Sequence, residues 1–598
     1  MEKQKLRSEI DDKYKWDLTT IFKSDEEFLK EIDNLKDDIQ KIKSYEDIFM
    51  TSGEKLYELF ELTNELEARM DKVYCYAHLH SDEDVSNNKY QSYYGYVINL
   101  YDEYSKISSY IMPTIMKYDY DKIEELYKEY PKLKDEYEFI LENIFRVKKY
   151  KLDENVEKAL SSLSKSFDNS EEIYSILSDS DLTFDNIKLK DGKEVELTNS
   201  NYSIYVSSSD RNERKQAFDT LYKTYKKYSN TIAKCLSNSI ESNVSMSKLR
   251  GYKSALNEAL FFDNIDENIY HNLIDTVENN LKPLYKYYNL KKKLLNLDEL
   301  HMYDIYAPII NNEKKYTFEE AKEMVLNSLK VLGDDYISIA NKAFNERWID
   351  VYNNKGKRGG AYSSGCYLTN PFLLLNYEGE YDDVSALIHE LGHSIHTYYS
   401  VNNNPYQYCS YKIFVAEVAS TVNELLLANY ILNNSNDKQE KIMVLNELLE
   451  LYKGTLFRQT MFAKFEKEIY NAIENNEILT SDYLCNKYYE INKKYFGDSV
   501  ILDDYIKYEW SRIPHFYNFF YVYKYATSIC ASTYIVNEIL KGNNDVKEKY
   551  LKFLTLGGSM YPVDELKTIG IDMNDKKVIE ETIKYFENIL NQFENLNE

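Results

Sequence analysis

The stretch Ser385-Ala-Leu-Ile-His-Glu-Leu-Gly-His-Ser-Ile-His396 decides how this chain folds and what its centre can do. Within it, His389-Glu-Leu-Gly-His393 is an H-E-x-x-H pattern. Residues four apart share one face of a helix, so both imidazoles can reach a single metal ion. Glu390 lies about 100° further round, near enough to touch a metal-activated water without ligating the metal itself. The opposite side reads Val384, Leu387, Ile388, Leu391 and Ile395, an apolar stripe that calls for a core-facing helix. Gly392 inside that helix costs about 1 kcal/mol relative to alanine, which a close backbone approach would explain. Such a pattern arises by accident in some helices, but three of the eight histidines fall between 389 and 396. That clustering favours a metal centre.

Two histidines do not complete a catalytic zinc site; a third protein ligand and an open position are needed. His396 is seven residues past His389, about 10 Å along a straight helix axis, too far for all three imidazoles to meet one ion. It is read as lining the cleft or supporting the site. The better candidate is Glu417 in Phe414-Val-Ala-Glu-Val-Ala-Ser-Thr-Val-Asn-Glu-Leu-Leu-Leu427, a helix that follows a loop containing Pro405. Glu424 shares its face and is either a rival ligand or a partner that orients one.

Outward from the motif, composition bounds the class. With 598 residues, 17 glycines and 8 prolines, the chain reads as mostly helical with few tight turns. Its sixty tyrosines read as a compositional habit rather than sixty functional phenols. A formal charge of −26 disfavours nucleic acid and anionic membranes as partners, and slightly favours neutral or basic ligands. The start, Met1-Glu-Lys-Gln-Lys-Leu-Arg-Ser8, has no apolar leader, and no run approaches a membrane span. Six scattered cysteines without a C-x-x-C read as reduced, buried thiols, so the expected compartment is the cytoplasm.

Along the chain, residues 17–180 read as successive amphipathic helices. One begins at Asp25, another at the Ser52 cap, and Pro131 breaks a third. His78 and His80, two apart, would face different ways on a helix and read as structural. Alternation in Asn186–Thr198 around Asp191-Gly192 predicts a hairpin and a soft boundary at 185–205. Helical texture then runs from Ser209 to about 345, interrupted at Arg250-Gly251-Tyr252 and Pro283. Trp348–Tyr352 and Pro371–Tyr377 read as strands, separated by a glycine-bearing loop that matches no phosphate-cradling motif. A small sheet there would offer an edge for an extended peptide, or simply scaffold the motif helix. Later, Trp510–Tyr525 packs aromatics beside His515; if it is helical, Tyr517, Tyr521 and Tyr525 share a face. An imidazole or phenol there could stabilise an oxyanion.

These pieces together resemble oligoendopeptidase F, of the thimet oligopeptidase-like family of zinc metallopeptidases. The matching residues span much of the chain: Tyr14-Lys-Trp-Asp-Leu18, Gly356-Lys-Arg358, Gly360-Ala-Tyr362, the motif helix through His396, Ala416-Glu-Val-Ala-Ser420, Asn423-Glu424, Arg512-Ile-Pro-His-Phe-Tyr517 and Phe520-Tyr-Val-Tyr-Lys-Tyr-Ala526. The resemblance implies a mainly α, zincin-type bilobed body with a deep central channel and a small β-sheet next to the metal-binding helix. It implies one zinc ion per chain on His389, His393 and Glu417, with Glu390 as general base. It further implies that His515 and nearby tyrosines, Tyr517 and Tyr523 foremost, contact the substrate carbonyl. Gly360, Tyr362, His396, Tyr521 and Tyr525 are expected along the bound peptide. Residues 1–200 would then be an N-terminal helical region ending in the hairpin, and 201–598 the catalytic domain. The expected substrates are short unstructured peptides cut internally, with no obligate protein partner. Two rival readings are a helical peptide-binding protein with structural zinc, which the open coordination disfavours, and a carboxypeptidase that trims chain ends.

Overall fold

The computed structural model describes residues 4–310 and 314–598. Residues 1–3, where the leader-free start was read, and 311–313, inside the run expected to be helical, lie outside the described residues. The chain is mainly helical, with five short strands among the described residues, and divides into two compact units. Unit 1 comprises Met1–Lys149, Lys314–Tyr430 and Ile535–Gly570; unit 2 comprises Tyr150–Glu313, Ile431–Tyr534 and Ile571–Glu598. The sequence boundary at about 200 falls within unit 2, because each unit gathers three separate stretches of chain.

Unit 1 opens with helices whose starts were legible. Ser24 caps Asp25–Ile39 and Ser52 caps Gly53–Glu83, each hydroxyl accepting the amide three residues on. Pro131 ends one helix and opens the next at Pro131–Lys148. His78 and His80 on the second helix meet Asp82 and Glu83, at 3.3 and 3.0 Å, and are structural in this sense. Many tyrosines here have a specific task, to donate to half-buried carboxylates: Tyr101 and Tyr406 to Asp71, Tyr57 to Glu136, Tyr76 to Asp25. In so acidic a chain, neutral donors let carboxylates pack inside without a cation for each. The compositional reading had no such role for them.

The sheet beside the motif helix is built from β3 (Ile349–Asp350), β4 (Tyr362–Ser364) and β5 (Phe372–Leu374), after the hairpin strands β1 (Asn186–Lys188) and β2 (Glu194–Glu196) of unit 2. The order is β3-β5-β4, with β3 parallel and β4 antiparallel to β5. Both expected strands are present but short, and the stretch Ala361–Gly365, between the expected loop and the second strand, supplies the edge strand. The N-terminal segment lies against this sheet: Val351 N–H donates to Tyr14 O at 2.9 Å, and Trp16 is buried. Lys357, fully buried, pairs with Asp350 at 2.7 Å, and Arg7 closes the same carboxylate at 2.6 Å. Gly356 precedes it with φ +84, where a Cβ would collide with Asp84.

Glu565, on the helix Pro562–Ile569, is 1% exposed with Oε1 unpartnered, and burial pushes its carboxyl up to about 8 against a smaller lowering by Lys412. A folded pKa above the unfolded one means the protonated form is favoured by folding. Its stabilising contribution is therefore complete below about pH 4.5 and lost as pH rises towards 8. Glu565→Gln is expected to raise the melting midpoint at alkaline pH, by up to a few kcal/mol of stability, and to leave it unchanged in mild acid. Melts across that range giving parallel curves for both proteins would refute it.

In unit 2 the hairpin forms as read, Asn186 facing Glu196 and Gly192 turning at φ +87. The long helix Arg211–Arg250 starts at the Asp210 cap and stops at left-handed Gly251. The helical run is interrupted beside Pro283 as read: one helix ends at Asn279 and Pro283 sits in the first turn of the next, Lys282–Leu294. The aromatic run is not one helix. A short 3-10 turn covers Pro514–Tyr517, and regular helix begins only at Tyr523. Between them Phe520 takes φ +51, unusual without glycine, and its N–H donates to Glu466 at 2.9 Å. The expectation that Tyr517, Tyr521 and Tyr525 share a helical face is thus corrected by this break.

Candidate active site

The motif helix runs Tyr381–Asn403 and the next helix Ile413–Asn434. Val384, Leu387, Ile388, Leu391 and Ile395 are all fully buried, so the apolar stripe turns the histidine face outward. The two helices touch at Gly392. A Cβ there would lie 2.7 Å from Ser420 Cα and 2.9 Å from Ala419 O, which explains a glycine in mid-helix. Asn423, itself buried, ties the pair together: its Nδ2 donates to Ile388 O at 3.3 Å, and Tyr336 donates to its Oδ1 at 2.9 Å. Neither Asn423's role nor Tyr336 was read from sequence, because each depends on which helix packs where.

That contact brings His389, His393 and Glu417 together. The two Nε2 atoms are 3.2 Å apart, and each is 3.5 Å from Glu417 Oε2. Tetrahedral zinc with bonds of about 2.0–2.1 Å needs donors about 3.3 Å apart, so these spacings fit the ion. Two imidazoles and one carboxylate are also the right chemistry for a catalytic zinc site. The side chains are 26, 18 and 30% exposed, so solvent reaches all three. Among the described residues no other cluster has this closeness.

The neighbours orient the donors. His389 Nδ1 meets Glu424 Oε1 at 3.3 Å, leaving Nε2 for the cluster, and Ser385 Oγ donates to the same oxygen at 3.3 Å. Glu424 therefore stands behind a donor instead of joining the cluster. Ser420 Oγ donates to Glu417 Oε2 at 3.1 Å. Burial opposes charge on His389, but Glu424, Glu390 and Glu417 push its pKa up to about 9. Glu417 is likewise resisted by burial and drawn down to about 2 by His393, His389 and Ser420. A field that charges a buried imidazole favours any cation placed there. Glu424→Ala is expected to weaken metal affinity about 10–100-fold, and Glu424→Gln less, since the amide oxygen still accepts. Competition with a chromogenic chelator reads both, and equal affinities across the three proteins would contradict it.

Glu390 projects beside the cluster, and burial pushes its carboxyl up while His389 and His393 pull it down. The nearby Ser363 backbone on β4 also lowers it slightly, and Ser363 Oγ meets Ser394 Oγ at 2.7 Å, so the edge strand is fastened to the motif helix. Tyr362 donates to Asp82 at 2.7 Å, and Gly360 turns at φ +85 with its carbonyl held by Asn376 at 2.7 Å. His396 is 1% exposed and stacked on Tyr411 with ring centres 3.7 Å apart, so it supports the helix from behind and does not line a cleft. Burial, then the nearby His393, lowers its pKa to about 3, keeping it neutral.

The second cluster belongs to unit 2. His515, Tyr521 and Tyr525 are partly exposed and adjacent, with ring centres 6.2 and 6.3 Å from His515 and the two hydroxyls 3.3 Å apart. Tyr517 and Tyr523 point the other way. Tyr517 is stacked on Tyr174, and Tyr523 is fully buried against Tyr270.

Comparison with known proteins places the chain in a family. Residues 204–585 match the model of peptidase family M3, and 115–184 that of oligopeptidase F. The chain is 41% identical to oligopeptidase PepF of Bacillus subtilis, over 99% of this chain and 88% of that protein. It is 39% identical to the group B oligopeptidase PepB of Streptococcus agalactiae, over 99% and 98%. Among solved structures, a putative peptidase from Chlamydophila abortus superposes with TM-score 0.89 at 34% identity, covering 98% of this chain and all of that one. Oligoendopeptidase-F from Enterococcus faecium gives 0.75 at 32%, covering 96% and 99%. A helical fold with an H-E-x-x-H helix and a glutamate on the next helix defines a metallopeptidase. The chain belongs to peptidase family M3, in its oligoendopeptidase F branch. No helix among the described residues is long and apolar enough to cross a membrane.

Proposed function

We propose that the protein is a zinc-dependent endopeptidase that hydrolyses internal bonds of short, unstructured peptides. The observation that carries this reading is the donor trio, spaced for one tetrahedral ion and flanked by a carboxylate outside it. His389, His393 and Glu417 would hold the zinc ion, which supplies Lewis acidity to a water molecule and to the scissile carbonyl. Glu390 takes a proton from the attacking water and passes it to the leaving amine nitrogen. A peptide laid along the open edge of β4 would run beside Glu390, its backbone held as an added strand. His515, whose pKa burial lowers, is a neutral donor near pH 7. With Tyr521 and Tyr525 it suits the carbonyl-contacting role; Tyr517 and Tyr523, foremost in the sequence reading, suit it less because their rings are packed away. Six unbridged thiols support a cytoplasmic setting.

The test is a mixture of peptides about 5 to 30 residues long with one folded protein, incubated with metal-replete and chelated enzyme. Internal cuts confined to the peptides, lost on chelation and restored by zinc, are expected by mass spectrometry. No cleavage by replete enzyme would move the assignment to a peptide-binding protein, and trimming from one end to a carboxypeptidase. Tyr525→Phe and His515→Ala are expected to lower kcat at unchanged zinc content, each by about 10²–10³ if the lost group donates to the oxyanion. Wild-type kcat in both would remove this cluster from the reaction.

A further inference from the structure

Three of the six cysteines, Cys75, Cys366 and Cys409, line one cavity of about 350 Å³ in unit 1, none of which the peptidase chemistry uses. Cys75 sits on the helix Gly53–Glu83 and is 3% exposed; Cys366 lies just past β4 and is partly open to solvent. The two thiols line the cavity side by side and shift each other's titration. The Cys366 sulfur accepts from Thr369 Oγ1 at 3.5 Å. A partly exposed sulfur that accepts a hydroxyl hydrogen bond has the surroundings of a reactive thiolate, and a buried thiol beside it in the same cavity those of a resolving partner. The neighbouring Cys75 lowers the Cys366 pKa against the opposing effects of burial and Asp71, while Cys366 and burial raise Cys75. Cys409 is held up at about 11 by burial and stays a thiol. These sulfurs do not form a second metal site: the donors that gather closely enough, among the described residues, are His389, His393 and Glu417.

We propose that Cys366 and Cys75 form a redox-active dithiol, with Cys366 the attacking sulfur and Cys75 the resolving one, oxidised by a hydroperoxide such as hydrogen peroxide. The Cys366 thiolate attacks the terminal peroxide oxygen; the O–O bond breaks, an S–O bond forms, and the departing hydroxide takes a proton to become water. Sulfur loses two electrons and peroxide gains them. The Cys75 sulfur then displaces hydroxide from the Cys366 sulfenic acid, forming S–S and breaking S–O, and its thiol proton leaves in a second water. Reduction by an external dithiol reverses the change.

The bridge would tether the long helix Gly53–Glu83 to the end of β4, two residues past Ser364. Ser363 on that strand bonds Ser394 of the motif helix and lies beside Glu390, so oxidation is expected to shift the edge strand and lower peptidase activity. This consequence rests on the proposed peptidase reading; the dithiol itself does not.

The test treats zinc-loaded enzyme with a small excess of hydrogen peroxide, alkylates remaining thiols, and maps peptides by mass spectrometry. A linked pair carrying Cys75 and Cys366, two hydrogens lighter than the separate peptides and absent after dithiothreitol, is expected. In untreated enzyme Cys366 should alkylate at least about tenfold faster than the buried Cys75, Cys235 and Cys530. In Cys75→Ser, peroxide should leave Cys366 as a sulfenic acid that dimedone traps. A Cys366 that alkylates no faster than the buried thiols, or peroxide treatment yielding no linked pair in wild type, overturns the proposal, and neither outcome depends on a variant folding. Peptide hydrolysis in the same samples separates the two readings. A linked pair with undiminished activity overturns only the coupling to β4, and reduced enzyme without activity overturns the peptidase reading while the dithiol stands.

Discussion

Glu390→Gln is expected to abolish peptide hydrolysis while zinc stays bound. The residue lies on the same helix as His389 and His393 but outside the donor trio, so the substitution removes no ligand. Glutamine keeps the shape of the side chain and leaves the Ser363–Ser394 bond untouched, so β4 should keep its place. What it loses is the ability to carry a proton from water to the leaving nitrogen. Transfer by a positioned general base and acid contributes about 10²–10⁴-fold to rate, and here one group serves both steps. The fall in kcat should therefore reach at least the upper part of that range, with little change in KM. Zinc content by elemental analysis should equal that of the wild type. Turnover near the wild-type rate would reject Glu390 as the base. Loss of zinc would mean that the carboxylate ligates, contrary to the geometry.

What could be read in advance follows from how local each feature is. The motif helix was legible because its two demands, histidines four apart and an apolar stripe opposite, are both periodic in sequence. Glu417 was legible as a carboxylate on the next helix. Its competitor Glu424 was not separable from it, since both share a face; only the 3.3 Å contact to Nδ1 decides the matter. His396 looked available because histidine suggests a site, yet its ring packs against Tyr411 and Phe553, far apart from it in the chain or beyond a loop. β4 escaped notice because three residues cannot show an alternation. Its anchors, Asp82 for Tyr362 and Ser394 for Ser363, lie elsewhere in sequence. The aromatic run misled for a backbone reason: the positive φ at Phe520, held by Glu466 from another helix, rotates Tyr521 and Tyr525 away from Tyr517.

Gly392→Ala is expected to weaken zinc binding and destabilise the fold, although alanine is the better helix former by about 1 kcal/mol. The new Cβ would sit 2.7 Å from Ser420 Cα, 2.9 Å from Ala419 O and 3.0 Å from Ser420 N. All three are backbone atoms of the neighbouring helix, so no rotamer change relieves the overlap. Carbon atoms prefer about 3.5–4.0 Å, so the helices must part by about 1 Å. Overpacking of this kind costs about 1–3 kcal/mol. The separation falls at the worst place, because Gly392 adjoins His393 on one helix and Ser420 holds Glu417 on the other. Parting them pulls the carboxylate from the imidazoles, whose present 3.5 Å spacing fits one ion. Zinc affinity should fall at least about 10-fold, the lower end of what misplaced orienting groups cost. A chelator titration and a melt of the metal-free protein measure the two effects apart. Ser420→Gly should not rescue the variant, since it removes none of the atoms in the clash; rescue would place the strain in the side chain. A Gly392→Ala protein that melts higher and binds zinc normally would show that the helices do not meet at this glycine.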